Sequence, residues 1–512
     1  MNQRLTKANK VQVALVLPQR RLGWWHKVLV ESLSGTHDVK IFIDDHAPPY
    51  PLSISAWLRF EHFLYRTRRD SSSGFAGGNL PPSQEIEDRT FDAVIDLSER
   101  AHPRAGAMTI SYDGSTDSTV LIDRLLGQQT PQLSVRKEGS DDILAASTVA
   151  IDDKFRLARG LQLAFGRCIA LIERALESGR ARGGNPSVES PATSRTLPAF
   201  VGRFVARKIT NVLVNRFTAA PQWSVALRSG TGPFVPIESQ NGHFYADPFL
   251  CTASGKTFLF MEDYSDATRK AVISAAEVVD DRLAGTPVPV LDRPYHLSYP
   301  LVFSEAEEIF MLPESVGSGS LELYRATQFP WKWQRESVLI EGMPLADATP
   351  LFHDNRWWLF ASMAQHGTTD HDELFIFFSD RLTGPWQPHP DNPVKSDCRS
   401  ARPAGRIVRS GDRLCRPAQD CEAAYGSGLV WHEIVELSPT RFHEIEVARF
   451  KAPRDLGFDG LHHFERLDTL QAIDMRPMPR LRARHPRERK AMSCLGSALD
   501  RTLRLVVSGR PT

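Results

Sequence analysis

Ala246-Asp-Pro-Phe-Leu-Cys-Thr-Ala-Ser-Gly-Lys-Thr-Phe-Leu-Phe-Met-Glu-Asp263 decides the fold, because the same pattern returns three more times. It recurs as Ser298-Tyr-Pro-Leu-Val-Phe-Ser-Glu-Ala-Glu-Glu-Ile-Phe-Met-Leu-Pro-Glu-Ser315, as Ala348-Thr-Pro-Leu-Phe-His-Asp-Asn-Arg-Trp-Trp-Leu-Phe-Ala-Ser362 and as Ala401-Arg-Pro-Ala-Gly-Arg-Ile-Val-Arg-Ser-Gly-Asp-Arg-Leu-Cys-Arg-Pro417. Pro248, Pro300, Pro350 and Pro403 stand 52, 50 and 53 residues apart. Each unit reads as a strand, a tight turn and an apolar strand, the inner hairpin of a propeller blade. A fifth unit fits Gly460-Leu-His-His-Phe-Glu-Arg-Leu-Asp-Thr-Leu-Gln-Ala-Ile-Asp474, with Trp223-Ser-Val-Ala-Leu-Arg228 as a closing strand. Residues 222–475 are therefore predicted to form an all-β five-bladed β-propeller.

Upstream the grammar differs. Strand-like runs at 11–17, 38–43 and 91–97, with a helical pattern at 24–34, predict a small parallel, Rossmann-like sheet in an N-terminal α/β domain over 10–178. Leu157, Leu161, Phe165, Ile169, Ile172 and Leu176 recur at helical spacing, so 142–178 reads as helix. Ligands of such sheets bind beyond the carboxyl ends of the strands, which points to Pro18, Asp44 and Asp96. No G-x-G-x-x-G follows the first strand, so a dinucleotide is not indicated. Residues 179–221 read as a linker, Gly-rich from Gly179 to Ser187, and an amphipathic helix whose Arg203, Arg207, Lys208 and Arg216 suit either packing or phosphate.

The 512 residues carry 62 Lys and Arg against 61 Asp and Glu, a balance that gives no global attraction to nucleic acid. The exception is 476–512, a basic tail with ten cations and two acids. Its stretch 491–507 can form a basic amphipathic helix, suited to peripheral contact with anionic lipid or to remaining a solvated tail. No apolar run reaches about 18 residues, and Val11–Leu17 is too short for a signal sequence. The expected location is cytoplasmic, at most peripheral at the inner face of the membrane. Six scattered cysteines read as reduced thiols.

Equivalent positions of the blades converge on one funnel in a propeller. Asp247, Tyr299, Thr349 and Arg402 each precede a repeat proline, and Glu262, Asp263, Glu314, Ser362, Gln419 and Asp420 end the second strands. Carboxylates held close together push their pKa values apart, one staying ionised and one keeping a proton, as glycosyl chemistry requires. The alternative is structural, with Arg402, Arg406 and Arg416 pairing with those carboxylates to tie blades together. Gly255-Lys-Thr257 resembles a phosphate loop but reads as a turn, and His366–Glu373 reads as a solvated loop in preference to a metal site. Of His462 and His463, adjacent on a strand, at most one is expected to face the funnel. Trp331, Trp333, Trp357, Trp358 and Trp386 read chiefly as packing between blades. No metal and no cofactor is called for.

Tyr245-Ala-Asp-Pro-Phe-Leu, His296-Leu-Ser-Tyr-Pro-Leu-Val-Phe, Met311-Leu-Pro-Glu-Ser, Leu382-Thr-Gly-Pro-Trp-Gln-Pro-His-Pro-Asp-Asn-Pro-Val394, Ala401-Arg-Pro-Ala-Gly-Arg-Ile407 and Cys415-Arg-Pro-Ala-Gln-Asp-Cys421 resemble the N-terminal propeller domain of the glucosamine inositolphosphorylceramide transferase family. Residues 10–178 resemble, more distantly, the formyltransferase-like segment carried by bacterial members. The propeller is in turn similar to the five-bladed arabinanases, xylosidases and invertases, whose sites use an Asp in the first blade, a second Asp and a Glu acid. By position the resemblance implies catalytic roles for Asp247 and Glu314, with Asp347 or Asp420 as the second Asp. Substrate binding is assigned to Glu262, His296, Tyr299, Asp347, Arg402, Arg406 and Arg416 as candidates for the polar funnel. In plant members sugar transfer belongs to a separate downstream domain, for which this sequence has no room after about 475. An active formyltransferase would need an H-x-S-L-L-P stretch that 10–150 lack, so that fold reads as reused.

The resulting expectation is a glycosyltransferase-type enzyme of cell-surface glycan or glycolipid biosynthesis, with a sugar or glycolipid substrate and a nucleotide-sugar donor. A glycoside hydrolase using Asp247 and Glu314, and a non-catalytic glycan-binding module, are the alternatives. The sequence leaves the oligomeric state open.

Overall fold

The computed structural model describes residues 10–66, 86, 90–140, 142–178, 196–217, 222–478 and 488–508. They fall into two compact units, one reaching Lys208 and including Gln365–Thr368, the other comprising Ile209–Ala364 and the chain from Thr369. The Gly179–Ser187 linker and the tail residues 479–487 and 509–512 lie outside the described residues.

In the first unit, β1 (Gln12–Pro18), α1 (Trp24–Thr36), β2 (Asp38–Asp44), α2 (Leu52–Leu64), β3 (Ala93–Asp96), β4 (Met108–Tyr112), α3 (Ser118–Leu126), β5 (Gln132–Lys137), β6 (Ile143–Thr148) and α4 (Leu157–Ser178) follow in order, and the boundary at Lys208 falls within α5 (Leu197–Phe217). One six-stranded sheet runs β2-β1-β3-β4-β5-β6. Its β1 pairs in parallel with both β2 and β3, and β3 in parallel with β4, whereas β5 and β6 are antiparallel additions. Val13 through Leu17 are fully buried, as expected of a strand covered on both faces. Trp25, Leu29 and Leu33 form the buried stripe of α1. The helical reading of 142–178 is corrected at its start, because Ile143–Thr148 is a strand. A short apolar run of this kind fits a buried strand as well as a buried helix. At the carboxyl ends, Asp44 and Asp96 are neutralised by Arg100 at 2.5 Å and Arg104 at 3.1 Å.

The second unit is a propeller of five sheets. The first blade runs His243–Ala253, Lys256–Ser265, Lys270–Val279 and Arg282–Leu283 outward, and the second Ser298–Glu305, Glu308–Glu314, Ser320–Gln328 and Lys332–Glu341. The third comprises Ala346–His353, Arg356–Ser362, Glu373–Ser379 and Gln387–Pro388, and the fourth Val408–Ser410, Arg413–Asp420, Gly428–Ser438 and Arg441–Lys451. In the fifth, Leu470–Pro477 pairs with β7 (Ser224–Ser229), so the strand preceding the first blade closes the ring. Ser254-Gly255, Ala306-Glu307 and Asp354-Asn355 all have positive φ, the requirement of type I′ hairpins, so of Gly255-Lys256-Thr257 only Gly255 lies in the turn and the other two begin the next strand. Trp331 and Trp333 of the second blade pack on Phe258 and Phe260 of the first, and Trp357 of the third on Phe303 of the second.

The basic tail is corrected as well. Its helix α6 (Glu488–Ser508) buries Met492, Leu495, Leu499 and Val506 in one cluster with Trp431, Phe450 and Phe464 of the propeller. Asp500 of α6 accepts from the buried Arg228 at 2.6 Å. The apolar face that suggested lipid is therefore covered by protein.

Gly405 has φ +126, and a Cβ there would lie 2.1 Å from the Phe464 carbonyl oxygen. Only glycine fits both the backbone and the space. Gly405→Ala is expected to destabilise the propeller by more than about 2 kcal/mol, read as the loss of thermal or denaturant stability relative to the parent chain.

Candidate functional site

Three non-glycine residues at equivalent blade positions, Asp247, Tyr299 and Asp347, have φ of +49, +47 and +50. The preceding residues pair in register, Ala246 with Glu262, Ser298 with Glu314 and Ala346 with Ser362, and each strand then bulges. Asp347, not Thr349, is thus the counterpart of Asp247, because Pro350 lies two positions later in its blade than Pro248 and Pro300 do in theirs. The bulge aims each backbone N–H at a carboxylate of the preceding blade. Asp247 N donates to Asp474 at 3.1 Å, Tyr299 N to Asp247 at 3.2 Å and Asp347 N to Glu314 at 3.1 Å.

Two cations organise these carboxylates. His462 Nε2 lies 3.1 Å from Asp247 and its Nδ1 3.1 Å from Asp474. Burial favours a neutral ring, but the two carboxylates outweigh it and raise the His462 pKa to about 10. Burial likewise opposes ionisation of Asp247, yet the bond from His462 and the charges of His462, His463 and Arg402 bring its pKa down to about 2. The second cation, Arg402, donates through Nε to Asp347 at 2.6 Å and pairs with Asp370 at 2.7 Å and Glu314 at 3.5 Å. Its guanidinium sits 5.2 Å from the centre of the Tyr425 ring. Glu314 is raised well above the usual carboxylate range by burial and by the charge of Asp347, with which it shares a hydrogen bond. These surroundings favour the ionised form of Asp247 and the protonated form of Glu314.

Glu262 lies 3.2 Å from His296 Nε2, and burial next to Asp247 raises its pKa. Ala271 N–H donates to His296 Nδ1, which leaves the proton on Nε2, facing Glu262. His296 is exposed, and Trp223, Glu314, Asp370, His371 and Tyr425 are half-buried, so the cluster has a solvent-facing side. Trp223 and Tyr425 both lean on the His462 ring, at 4.0 and 5.1 Å between centres.

The remaining sequence candidates fall elsewhere. Asp420 accepts from Arg449 at 2.6 Å, while its neighbour Gln419 reaches Asp347 at 3.0 Å. Arg406 binds Glu465 and the Val302 carbonyl, and Arg416 binds Glu444 with the Ser400 and Ala401 carbonyls. Tyr299 is fully buried, its hydroxyl on Thr349 and Gly405.

Sequence reasoning missed Asp474, Asp370 and Tyr425, and it allowed at most one of His462 and His463 to face the funnel. Strand alternation does not govern 461–463, which lie between strands, so both histidines adjoin Asp247, His463 at 3.7 Å. The stretch from His366 to Glu373 is not a solvated loop either: Thr368, Thr369, Asp372 and Glu373 are buried. Asp247, His462 and Asp474 bring ligand-type atoms within 4.8 Å of one another. Both His462 nitrogens already face carboxylates, and Asp474 Oδ1 accepts from the backbone N–H of His462 and His463. That donor set fits a buried imidazolium better than a metal ion.

The family described as "Glucosamine inositolphosphorylceramide transferase 1, N-terminal" matches residues 207–462. The glucosamine inositolphosphorylceramide transferase 1 of Oryza sativa subsp. japonica is 38% identical over 209 residues, 40% of this chain and 28% of that protein. Its namesake from Arabidopsis thaliana is 34% identical over 258 residues, 44% of this chain and 34% of that protein. The match thus spans about a third of the length of these relatives. Among solved structures, the catalytic domain of Coprinopsis cinerea GH62 alpha-L-arabinofuranosidase overlaps 52% of this chain and 94% of its own, at 12% identity and a TM-score of 0.40. Zg3597, a family 117 glycoside hydrolase from Zobellia galactanivorans, overlaps 44% and 74%, at 12% identity and a TM-score of 0.33.

His462→Gln removes one charge and strands two buried carboxylates. It is expected to cost about 3–5 kcal/mol at neutral pH. A raised histidine pKa contributes stability in full below its ordinary value of 6.5 and loses it as pH rises towards about 10. Thermal melting across that range should therefore show the parent chain losing stability that the variant never had.

Proposed function

The chain belongs to the glucosamine inositolphosphorylceramide transferase family, and on that premise we propose that it is a glycosyltransferase-type enzyme of glycolipid assembly whose propeller cluster binds the sugar and moves a proton. The observation that carries this reading is the contrast between two carboxylates, Asp247 held against the His462 ring at 3.1 Å and Glu314 set against Asp347, whose backbone N–H it accepts at 3.1 Å. These surroundings favour an ionised Asp247 and a protonated Glu314. An ionised carboxylate and a protonated one at the same site suit the making or breaking of a glycosidic bond, the first accepting a proton or stabilising positive charge, the second donating to a leaving oxygen. Burial and the charges of Asp347 and Asp370 favour the protonated form of Glu314, against the opposing pull of Arg402.

The half-buried Trp223 and Tyr425 supply faces against which a sugar ring can stack. By analogy with its relatives, the acceptor is an inositolphosphorylceramide-type glycolipid and the donor a nucleotide-activated sugar. A cytoplasmic setting suits such a donor. The N-terminal unit is read as a reused α/β fold without formyl-transfer activity.

The same pair of carboxylates favours a second reading, a glycoside hydrolase using Asp247 as nucleophile or base and Glu314 as acid. The two separate in one assay. Purified protein is incubated with nucleotide-activated glucosamine and inositolphosphorylceramide, and the glycolipid is followed by mass spectrometry. Transfer is expected, and Asp247→Asn and Glu314→Gln should each lower its rate about 100-fold or more while leaving sugar binding largely intact. Release of free sugar from simple glycosides, with no activated donor consumed, would establish hydrolysis instead. Sugar binding with no turnover of either kind would leave only a binding module.

A further inference from the structure

The first unit has a feature that the propeller chemistry does not use. From β1 the chain passes through α1 to β2 on one side, and from β2 through α2 to β3 on the other side of β1. The connections therefore diverge between β1 and β3, and in an open parallel sheet ligands settle outside the carboxyl ends at such a point. Arg21, just after β1, and Glu99, just after β3, form a buried ion pair there. Arg21 also reaches Asp117 at 2.7 Å, and Glu99 accepts from the Ser118 hydroxyl and backbone.

Beside this pair opens a cleft of about 430 Å³. Its size lies within the usual range for small-molecule sites. Among the described residues, Arg20, Arg21, Arg59 and His62 line it and no acidic residue does, although Arg20 also faces Asp45 at 3.9 Å. Ser55, Arg59 and His62 occupy one face of α2, at i, i+4 and i+7. The first turn of α1 opens onto the cleft through Gly23 and Trp24, with no acid in that turn and no side-chain cap. The N–H groups of Gly23 and His26 are already bonded, to His26 Nδ1 and to the Gly23 carbonyl, and the positive end of the helix dipole adds to the potential. His26, in the same turn, is 1% exposed and accepts from Gly23 N–H through Nδ1, which leaves Nε2 a buried polar atom without a hydrogen-bond partner. Trp24, Tyr50, Leu58 and Phe165 supply apolar wall.

We propose that this cleft binds a nucleoside phosphate, with the phosphate held by Arg20, Arg59 and the start of α1 and the base lying against the Trp24 and Tyr50 side. Paired basic side chains at a helix N-terminus recognise phosphate through charge-assisted hydrogen bonds, and the aromatic wall matches a flat ring. A free mononucleotide and the nucleotide part of an activated sugar share this chemistry. The proposal is independent of the sugar chemistry assigned to the propeller.

Isothermal titration of the full chain with AMP, UMP, UDP-N-acetylglucosamine, uridine and inorganic phosphate tests it. Binding of the nucleotides is expected below about 1 mM, with uridine and inorganic phosphate at least about 10-fold weaker. A tighter UDP-N-acetylglucosamine than UMP would mark an activated sugar as the occupant, and equal affinity a mononucleotide. Arg59→Gln and Arg20→Gln, both on exposed side chains, should each weaken nucleotide binding about 5-fold or more with unchanged melting temperature. Asp247→Asn should leave it unchanged, which separates this site from the propeller. No heat from any nucleotide at about 1 mM, affinity untouched by both arginine variants, or inorganic phosphate binding as well as UMP would overturn the proposal.

Discussion

A ring of sheets must be closed between its first and last members, and here the closure runs through one buried imidazolium, His462, held between Asp247 of the first blade and Asp474 of the last. Charges so deep persist only when paired, because removing an ion from water costs several kcal/mol that a partner must offset. Around the ring the same logic repeats with backbone donors. Asp474 accepts from Asp247 N, Asp247 from Tyr299 N, and Glu314 from Asp347 N. The left-handed φ of the three donor residues is the geometric condition for aiming those N–H groups inward. Such strain, of order 1–3 kcal/mol per residue, survives only where surrounding bonds determine it, and it concentrates at functional sites.

The ties between blades therefore also set the charge of each carboxylate. Asp247 receives a cation and a backbone donor and stays ionised. Glu314 is poorer in positive partners, with the Arg402 guanidinium 3.5 Å away and an acid beside it, and it keeps its proton. Removing either cation would change the protonation of groups that it does not touch. The contacts that hold the blades together are thus the same contacts that bias the protonation of their carboxylates.

Much of this was legible in the sequence because a propeller repeats. Period, proline and turn agreed, so the blades, the closing strand and the inward placement of Asp247, Glu262, Glu314 and Arg402 followed. Where the repeat slips, the reading slipped with it. Proline alignment set Thr349 opposite Asp247, whereas the hydrogen-bond register sets Asp347 there. His462 and His463 were judged by strand alternation in a segment that is not a strand. Asp370 and Tyr425 come from loops, which carry no periodicity to read. For the tail helix, amphipathicity revealed an apolar face but not that the propeller itself would cover it.

The closing strand has a consequence for the order of folding. β7 pairs on one side with the two residues Val235–Pro236, but its other edge is covered by Leu470–Pro477, and the hydrogen bond from Arg228 to Gln471 joins residues 243 apart in sequence. Contacts so distant are slow to form, since a long loop must be closed before they repay its entropy. During synthesis β7 therefore leaves the ribosome with one edge unpaired well before the partner of that edge exists. In that interval the nascent chain carries a ready template for pairing with a neighbour, and the last blade to be made decides whether the first strand is buried or aggregates.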